Sequence, residues 1–345
     1  MAIENKLQLI AFAVVATLGM TGCSQPFQST YNPLPTPVTS TSNPAVVAKN
    51  VYVQNSGNSP SSLDVYPANL NGTAEPSLRY DVDPTAVAVD SSGSVYVSVS
   101  TPSLAKILVF PSGSQVAART IIVPESNEIQ NIVHTMLVDN AGNLYVAFRY
   151  VVFVLPASAS GTVDPIRIIL GPTTTFSDTT EGITEMAIDS KGNLYVAEGD
   201  GQKGSKVVRF DPGVTGDVAP VSITSASYYP TGVALDSADN IYLCQGSVYA
   251  PVGGGPGTTA AIYEFSAGAS AGTAPIRTIS GINTKMLITH SLHIDMAGNI
   301  FVLTYGTGPT NSLVVFSANA AGDVNPASVV IRSHWVSADS QFALY

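Results

Sequence analysis

Apolar and polar residues alternate with a period of two through short stretches of this chain, and one such pattern returns five times. The copies are PTAVAVDSSGSVYV (84–97), VHTMLVDNAGNLYV (133–146), ITEMAIDSKGNLYV (183–196), PTGVALDSADNIYL (230–243) and THSLHIDMAGNIFV (289–302), aligned without gaps. Alternation over that length predicts half-buried strands. Each copy reads as strand, tight turn, strand. Asp followed by Gly-Asn or a close variant supplies an acceptor for turn amides and a residue that tolerates φ > 0. The shared Asp90, Asp139, Asp189, Asp236 and Asp295 stand 47 to 59 residues apart.

A second strand pair follows each hairpin, in AKILVFPSGSQVAARTI (105–121), VVFVLPASASGTVDPIRII (151–169), SKVVRFDPGVTGDVAPVSI (205–223), AAIYEFSAGASAGTAPIRTI (260–279) and NSLVVFSANAAGDVNPASVV (311–330). A four-stranded antiparallel unit repeated at this spacing predicts the blade of a β-propeller. The outermost strand opens after Pro165, Pro220, Pro275 or Pro326, a residue tolerated at an edge because donors there need no ladder partner. Arg79, Arg119, Arg167 and Arg277 recur on it and are read as structural charges that discourage edge-to-edge pairing. Residues 50–80 supply the last three strands of a blade but no first strand. SQFALY (340–345) supplies a strand with no blade. Pairing Gln341 to Tyr345 beside Val51 to Val53 would close an all-β ring of six blades and remove the free edges.

Composition narrows the class. Charged residues are 11% of the chain and AVILMFWYC 45%, which excludes disorder, while Gly 29 and Pro 23 argue against a helical bundle. The formal net charge of −10, with no Lys/Arg cluster, makes nucleic acid or an anionic lipid surface a poor partner.

Residues 7–20, LQLIAFAVVATLGM, form an apolar run too short for a comfortable membrane span and suited to a signal-peptide core. It ends at Met20-Thr21-Gly22-Cys23, which resembles the lipobox of bacterial lipoproteins. The resemblance makes residues 1–23 a lipoprotein signal peptide with its lipobox, implies cleavage before Cys23, which is lipidated and becomes the mature N-terminus, and implies export to the cell envelope, with the outer membrane or surface favoured. The Ser, Thr and Pro of residues 24–48 read as an extended tether, and residues 49–345 as the propeller. Cys244 follows Ile241-Tyr242-Leu243 and reads as a small buried hydrophobe.

The repeated hairpin resembles the NHL-repeat propellers, in particular secreted and lipoprotein members, whose blades read P-x-G-[IV]-A-[VL]-D-x-x-G-N-[ILV]-Y-[VL]; Pro230 to Leu243 matches best, with Asp239 in place of Gly. That resemblance implies fold far more than activity, because related propellers are scaffolds, lactonases, lyases and sensors.

The residues five before each Asp, namely Thr85, His134, Thr184, Thr231 and His290, are expected to ring one mouth of the central channel. His134 and His290, in blades 3 and 6, would face each other across it. Neutral imidazoles suit zinc, and Glu185 beside the ring, or Glu198 and Asp200 in the loop after it, could add oxygen ligands. His290-Ser291-Leu292 resembles the axial element of the peptide-amidating lyases, which implies a zinc enzyme with three histidines. Here two hold that position, His293 being displaced by three residues. The bland alternative makes His134 and His290 water-bridged channel lining. Loops at the same mouth carry Arg149-Tyr150, Tyr228-Tyr229, the glycine-rich run from Tyr249, and Tyr305, a rim suited to peptides or glycans. The Asp turns lack calcium-loop spacing, and no nucleophile elbow or phosphate loop is present. The expectation is therefore a binding module without cofactor, recognising an envelope protein, peptide or glycan through Arg149, Tyr249, Tyr305, His134 and His290. The alternative is a zinc or other divalent-metal lyase or hydrolase.

Overall fold

Each Asp-turn hairpin forms the inner half of one blade in a computed structural model that describes residues 48–345 apart from 56–59, 74, 102–103, 124–131, 177–181, 200–203, 225–227, 247–259, 306–310 and 333–340. The chain divides into Met1–Thr41 and Ser42–Tyr345. The leader, Cys23 and nearly all of the expected tether lie outside the described residues.

Six sheets form the ring, each running outward from an inner strand. The inner strands of blades 2 to 6 are Pro84–Val89, Thr135–Val138, Ile183–Ile188, Pro230–Leu235 and Ile288–Ile294. Blade 1 takes its inner strand, Phe342–Leu344, from the other end of the chain. It pairs antiparallel with Asn50–Asn55 in the register Val51↔Leu344, Tyr52↔Ala343 and Val53↔Phe342, which is the seam the sequence predicts. Gln341 N donates to the Gln54 side-chain oxygen Oε1 at 3.1 Å and Tyr345 N to Asn50 O at 3.0 Å, extending the closure at both ends. Phe342–Leu344 lies against the inner strands of both blade 2 and blade 6.

The core is six clusters, one between each pair of adjacent blades. The period-two pattern explains this division. Val51 and Val53 pack toward blade 6 with Phe301, Leu313 and Phe342, while Tyr52 between them packs toward blade 2 with Val87 and Val97. Successive side chains of a strand leave on opposite faces, so each inner sheet is buried on both.

The five turns have a common chemistry. Asp139 Oδ1 accepts from Ala141 N (2.9 Å) and Asn143 N (2.8 Å), and Oδ2 from Asn143 Nδ2 (2.9 Å). Asp189, Asp236 and Asp295 repeat the same three bonds, and Asp90 substitutes serines. Gly142, Gly192 and Gly298 supply the positive φ, and Asp239 adopts it at φ 63. Asp239 also accepts from Ser190 N (2.8 Å) and Ser190 Oγ (2.6 Å), so the departure from Gly ties blade 5 to blade 4.

The outer edge is protected differently from the sequence expectation. The loop before an outer strand docks on the outer strand of the preceding blade. Gly161–Thr162 of blade 3 pairs parallel with Ile121 and Ile122 of blade 2, adding a fifth short strand to that sheet, and Gly72↔Val330, Ile169↔Gly216 and Ile279↔Gly322 are parallel bridges of the same kind. Arg119 and Arg277 are not edge-repelling charges. Arg119 donates to the carbonyls of Ala157 and Ala159 in blade 3, and Arg277 to those of Ala318 and Ala320 in blade 6. Covering the edge with a neighbour's loop satisfies ladder groups that a surface charge would only shield.

Candidate functional site at the axial mouth

The expected ring is a ring of β-bulges. Pairing between first and second strands shifts register between Pro84 and Ala86, Ile183 and Glu185, Pro230 and Gly232, and Thr289 and Ser291. The residue left over each time is Thr85, Thr184, Thr231 or His290. An extra residue leaves a local gap in the ladder, and the threonines fill it. Thr184 Oγ1 donates to Ala197 O at 3.2 Å and Thr231 Oγ1 to Cys244 O at 3.2 Å, with Thr85 Oγ1 bonding Ser98 Oγ at 3.1 Å. Threonine in this column is thus explained by backbone repair. His134, whose N–H donates to Ala147 O at 2.9 Å, and His290 occupy the same column half-buried.

The residue after each bulge carries the chemistry. That column reads Ala86, Thr135, Glu185, Gly232 and Ser291, with Gln341 in blade 1, where Gln54 N donates to its carbonyl just beyond the pair Val53↔Phe342. Glu185 is buried, and its carboxyl crosses the inner strand of blade 5 to reach blade 6. Oε2 accepts from Val233 N at 2.9 Å and Leu292 N at 3.5 Å, and Oε1 meets Ser291 Oγ at 2.5 Å and lies 3.8 Å from His293 Nε2. Gly232 makes the crossing possible. A Cβ there would stand 2.2 Å from Glu185 Oε2, 3.1 Å from Cys244 Sγ and 3.2 Å from His290 O. The one acidic side chain of the column therefore sits beside the position with no side chain.

Burial pushes the Glu185 carboxyl up to about 8, against the lowering effect of its three donors. The hydrogen bonds distinguish its two oxygens. Oε2 faces backbone N–H donors only, as a carbonyl oxygen would, while Oε1 faces a hydroxyl that can donate or accept. His293 is pushed the other way, down to about 4, by burial, although a hydrogen bond with the Phe342 backbone opposes this. Its ring meets Phe342 edge-on at 4.6 Å, and its side chain keeps 35% of its surface open. Surrounded by protein yet a third exposed, His293 lines the axis where Glu185 does not. Gln341 completes the closure from the opposite side of the ring, its Nε2 donating to Thr184 O at 2.7 Å. Buried Cys244, next to Glu185, has its thiol pushed up to about 12, chiefly by burial, which leaves an inert thiol as the sequence predicts.

Other expected residues are dispersed. Glu198 is buried at the end of Leu194–Glu198, where Thr175 Oγ1 donates to it at 3.4 Å and Lys206 Nζ lies 3.8 Å away. Arg149 sits over the Tyr150 ring at 5.2 Å, and its carbonyl accepts from Ile183 N at 2.9 Å. Tyr228 packs edge-on against Tyr263 and Phe265, so it fills core. Tyr305 ends the strand Ile300–Tyr305. Asp200 and Tyr249 lie outside the described residues. Ser291, Gly232 and Gln341 carry the geometry without having been singled out as site residues. The column after the bulge, with Glu next to Gly in consecutive blades, was the signal that could have found the first two.

Among the described residues no three His, Cys, Asp or Glu side chains converge as a metal-binding group, and Glu185 Oε1, the oxygen that approaches His293, is already engaged by Ser291 Oγ. Among the described residues no helix is long and apolar enough to cross a membrane.

No family model and no curated protein matches the chain. Among solved structures it is similar to a protein of unknown function from Bacteroides caccae, at TM-score 0.57 and 12% identity, covering 86% of this chain and 98% of that one. It is less similar to the PQQ domain of pyranose dehydrogenase from Coprinopsis cinerea, at TM-score 0.48 and 11% identity over 73% of this chain and 81% of that one. A PQQ-bound aldose sugar dehydrogenase from Streptomyces coelicolor matches at TM-score 0.43 and 13% identity, over 71% and 80% respectively. At 12% identity the likeness to the Bacteroides caccae protein shows a shared fold, and the strand order shows this chain to be an all-β propeller of six blades closed by its C-terminal strand.

Proposed function

We propose that this propeller is a binding module of the NHL-repeat type, held at the cell envelope through a lipidated Cys23, and that it takes a peptide or glycan at the axial mouth. One observation supports the mouth as the site: Glu185, Ser291 and His293 converge there from two blades, with only the imidazole open. Polar groups placed at such cost inside a ring mark function more often than stability. Arg149 and Tyr150, beside the same mouth, offer a cation and an aromatic face for the ligand's polar and apolar parts.

Screening the purified domain against peptide and glycan arrays tests this. A genuine ligand loses affinity at least about tenfold in His293→Ala, as expected for truncating one anchor at the centre of a site, while the melting temperature stays near the parent value. Ligands that bind His293→Ala and Arg149→Ala as well as the parent would place the site elsewhere. The address is tested separately by fatty-acid labelling, which Cys23→Ser must abolish.

The strong displacement of Glu185 and His293 in opposite directions favours a second reading, acid–base chemistry at the axis. Hydrolase and lyase substrates turned over by the parent but not by Glu185→Gln would move the protein into that class.

A further inference from the structure

The opposite end of the ring breaks its own pattern at one blade interface. Arg79, Arg119, Arg167 and Arg277 stand near the start of their outer strands, and three of these have their guanidinium groups occupied. Arg79 is bidentate on Asp64, its cross-strand partner, at 2.7 and 3.1 Å. Arg119 reaches Ala157 O, Ala159 O and Tyr96 OH. Arg277 is bonded to Glu264, Tyr242 OH, Ala318 O and Ala320 O. Among the described residues Arg167 has one hydrogen bond, from Nη2 to Tyr145 OH at 2.7 Å, and it stacks over that ring at 5.4 Å. Its cross-strand partner is buried Val154 where Arg79 has Asp64 and Arg277 has Glu264.

Where Arg119 and Arg277 fill the groove to the next blade, the groove beside Arg167 stays open. It forms a hollow of about 350 Å³ between blades 3 and 4, walled by Tyr145, Ile188 and Pro212, with Lys191 at its rim. Asp139 and Asp189 also line it, but their oxygens are engaged by the amides of their own turns. The half-buried guanidinium keeps its fork of donors, and the hollow places an apolar wall beside it.

We propose that this hollow is a binding site for an anionic group, a carboxylate or a phosphate on a small organic ligand, held by Arg167 with Lys191 assisting. A guanidinium fork pairs with either group through two parallel charge-assisted hydrogen bonds, and Tyr145 already fixes the plane of the fork. The site lies at the end of the ring away from the axial mouth and is independent of any ligand there.

The test follows the Arg167 Nε–H resonance of the full propeller while sodium acetate or inorganic phosphate is titrated at constant ionic strength against chloride. The expected result is a saturable shift with at least one probe. Affinity falls about tenfold or more in Arg167→Gln, the order expected for losing a bidentate charged contact, and falls less in Lys191→Gln. Arg167→Lys keeps the charge without the fork and should also weaken binding, which guards against a folding defect in the glutamine variant. A response to phosphate alone assigns a phosphate, to acetate alone a carboxylate. Shifts that are equal for chloride, acetate and phosphate, or binding unchanged in Arg167→Gln, would overturn the proposal.

Discussion

The two ends of the ring satisfy their polar groups in opposite ways. At the turn end each of the five repeated aspartates finds its donors within six residues, so Asp139 and Asp295 look alike although they belong to different blades. At the axial mouth the partners are distant: Glu185 meets Ser291, 106 residues on, and Gln341 meets Thr184 from 157 residues away. Local satisfaction can be copied from blade to blade, whereas distant satisfaction makes every blade different. The turn end therefore repeats, and the mouth is where one blade acquires chemistry its neighbours lack.

The seam subjects this contrast to its largest test. Deleting Gln341 to Tyr345 removes the inner strand of blade 1, including Phe342, which is 1% exposed. Loss of a buried Phe alone costs about 3–5 kcal/mol, so melting should fall by roughly 10 °C or more. A truncated protein melting with the parent would mean that the ring does not depend on its distant contacts.

Gly232→Ala aims at the mouth alone. Its Cβ would sit 2.2 Å from Glu185 Oε2, and about 1–3 kcal/mol of stability should be lost, as for other overpacked sites. In a Glu185→Ala background the same change should cost much less, because contacting residues are non-additive. Denaturant titration of the four variants reads the coupling directly.

The pH dependence sharpens the same point. Glu185 is raised from 4.5 to about 8, so the stability it contributes is complete below about pH 4.5 and is lost as pH rises toward 8. His293 is lowered from 6.5 to about 4, so its contribution is present above 6.5 and is lost as pH falls toward 4. The two oppose each other between pH 4.5 and 6.5 and leave a net decline from 6.5 to 8. In Glu185→Gln that decline should vanish, the amide donating to Ser291 and accepting from Val233 N. Persistence of the decline would show that another group governs it.

The smallest effect belongs to the turn end. Asp239→Gly relieves a left-handed backbone at φ 63 but loses both Ser190 bonds. The relief and the loss are each on the order of 1 kcal/mol, so stability should move by less than about 1 kcal/mol. Asp239→Asn, which keeps an acceptor and tolerates the conformation, should be closer to neutral still.

Much of the fold was legible because its determinants are short. The Asp-x-x-Gly-Asn turns, the period-two strands and the orphan strand at residues 340–345 each state their structure within a few residues, and repetition supplied the blade. The site was less legible. Glu185 and the two histidines of the bulge column could be placed on inner strands, but direct contacts from Glu185 run to Ser291, Val233 and Leu292, and its near approach is to His293. Likewise Arg167 reads the same as Arg119 and Arg277 in the sequence, and only the groove distinguishes it.

The sequence by itself determined the strands, the turns, the number of blades and the partner of the closing strand, since each follows from local periodicity and from pairing that leaves no edge open. The tertiary structure alone decided which polar side chains meet. Whether Glu185 reaches blade 6 depends on the missing side chain of Gly232, and whether Arg167 is occupied depends on the carbonyls of the next blade. Such contacts arise when the ring closes and brings distant residues to a common axis or groove, and no local pattern records them.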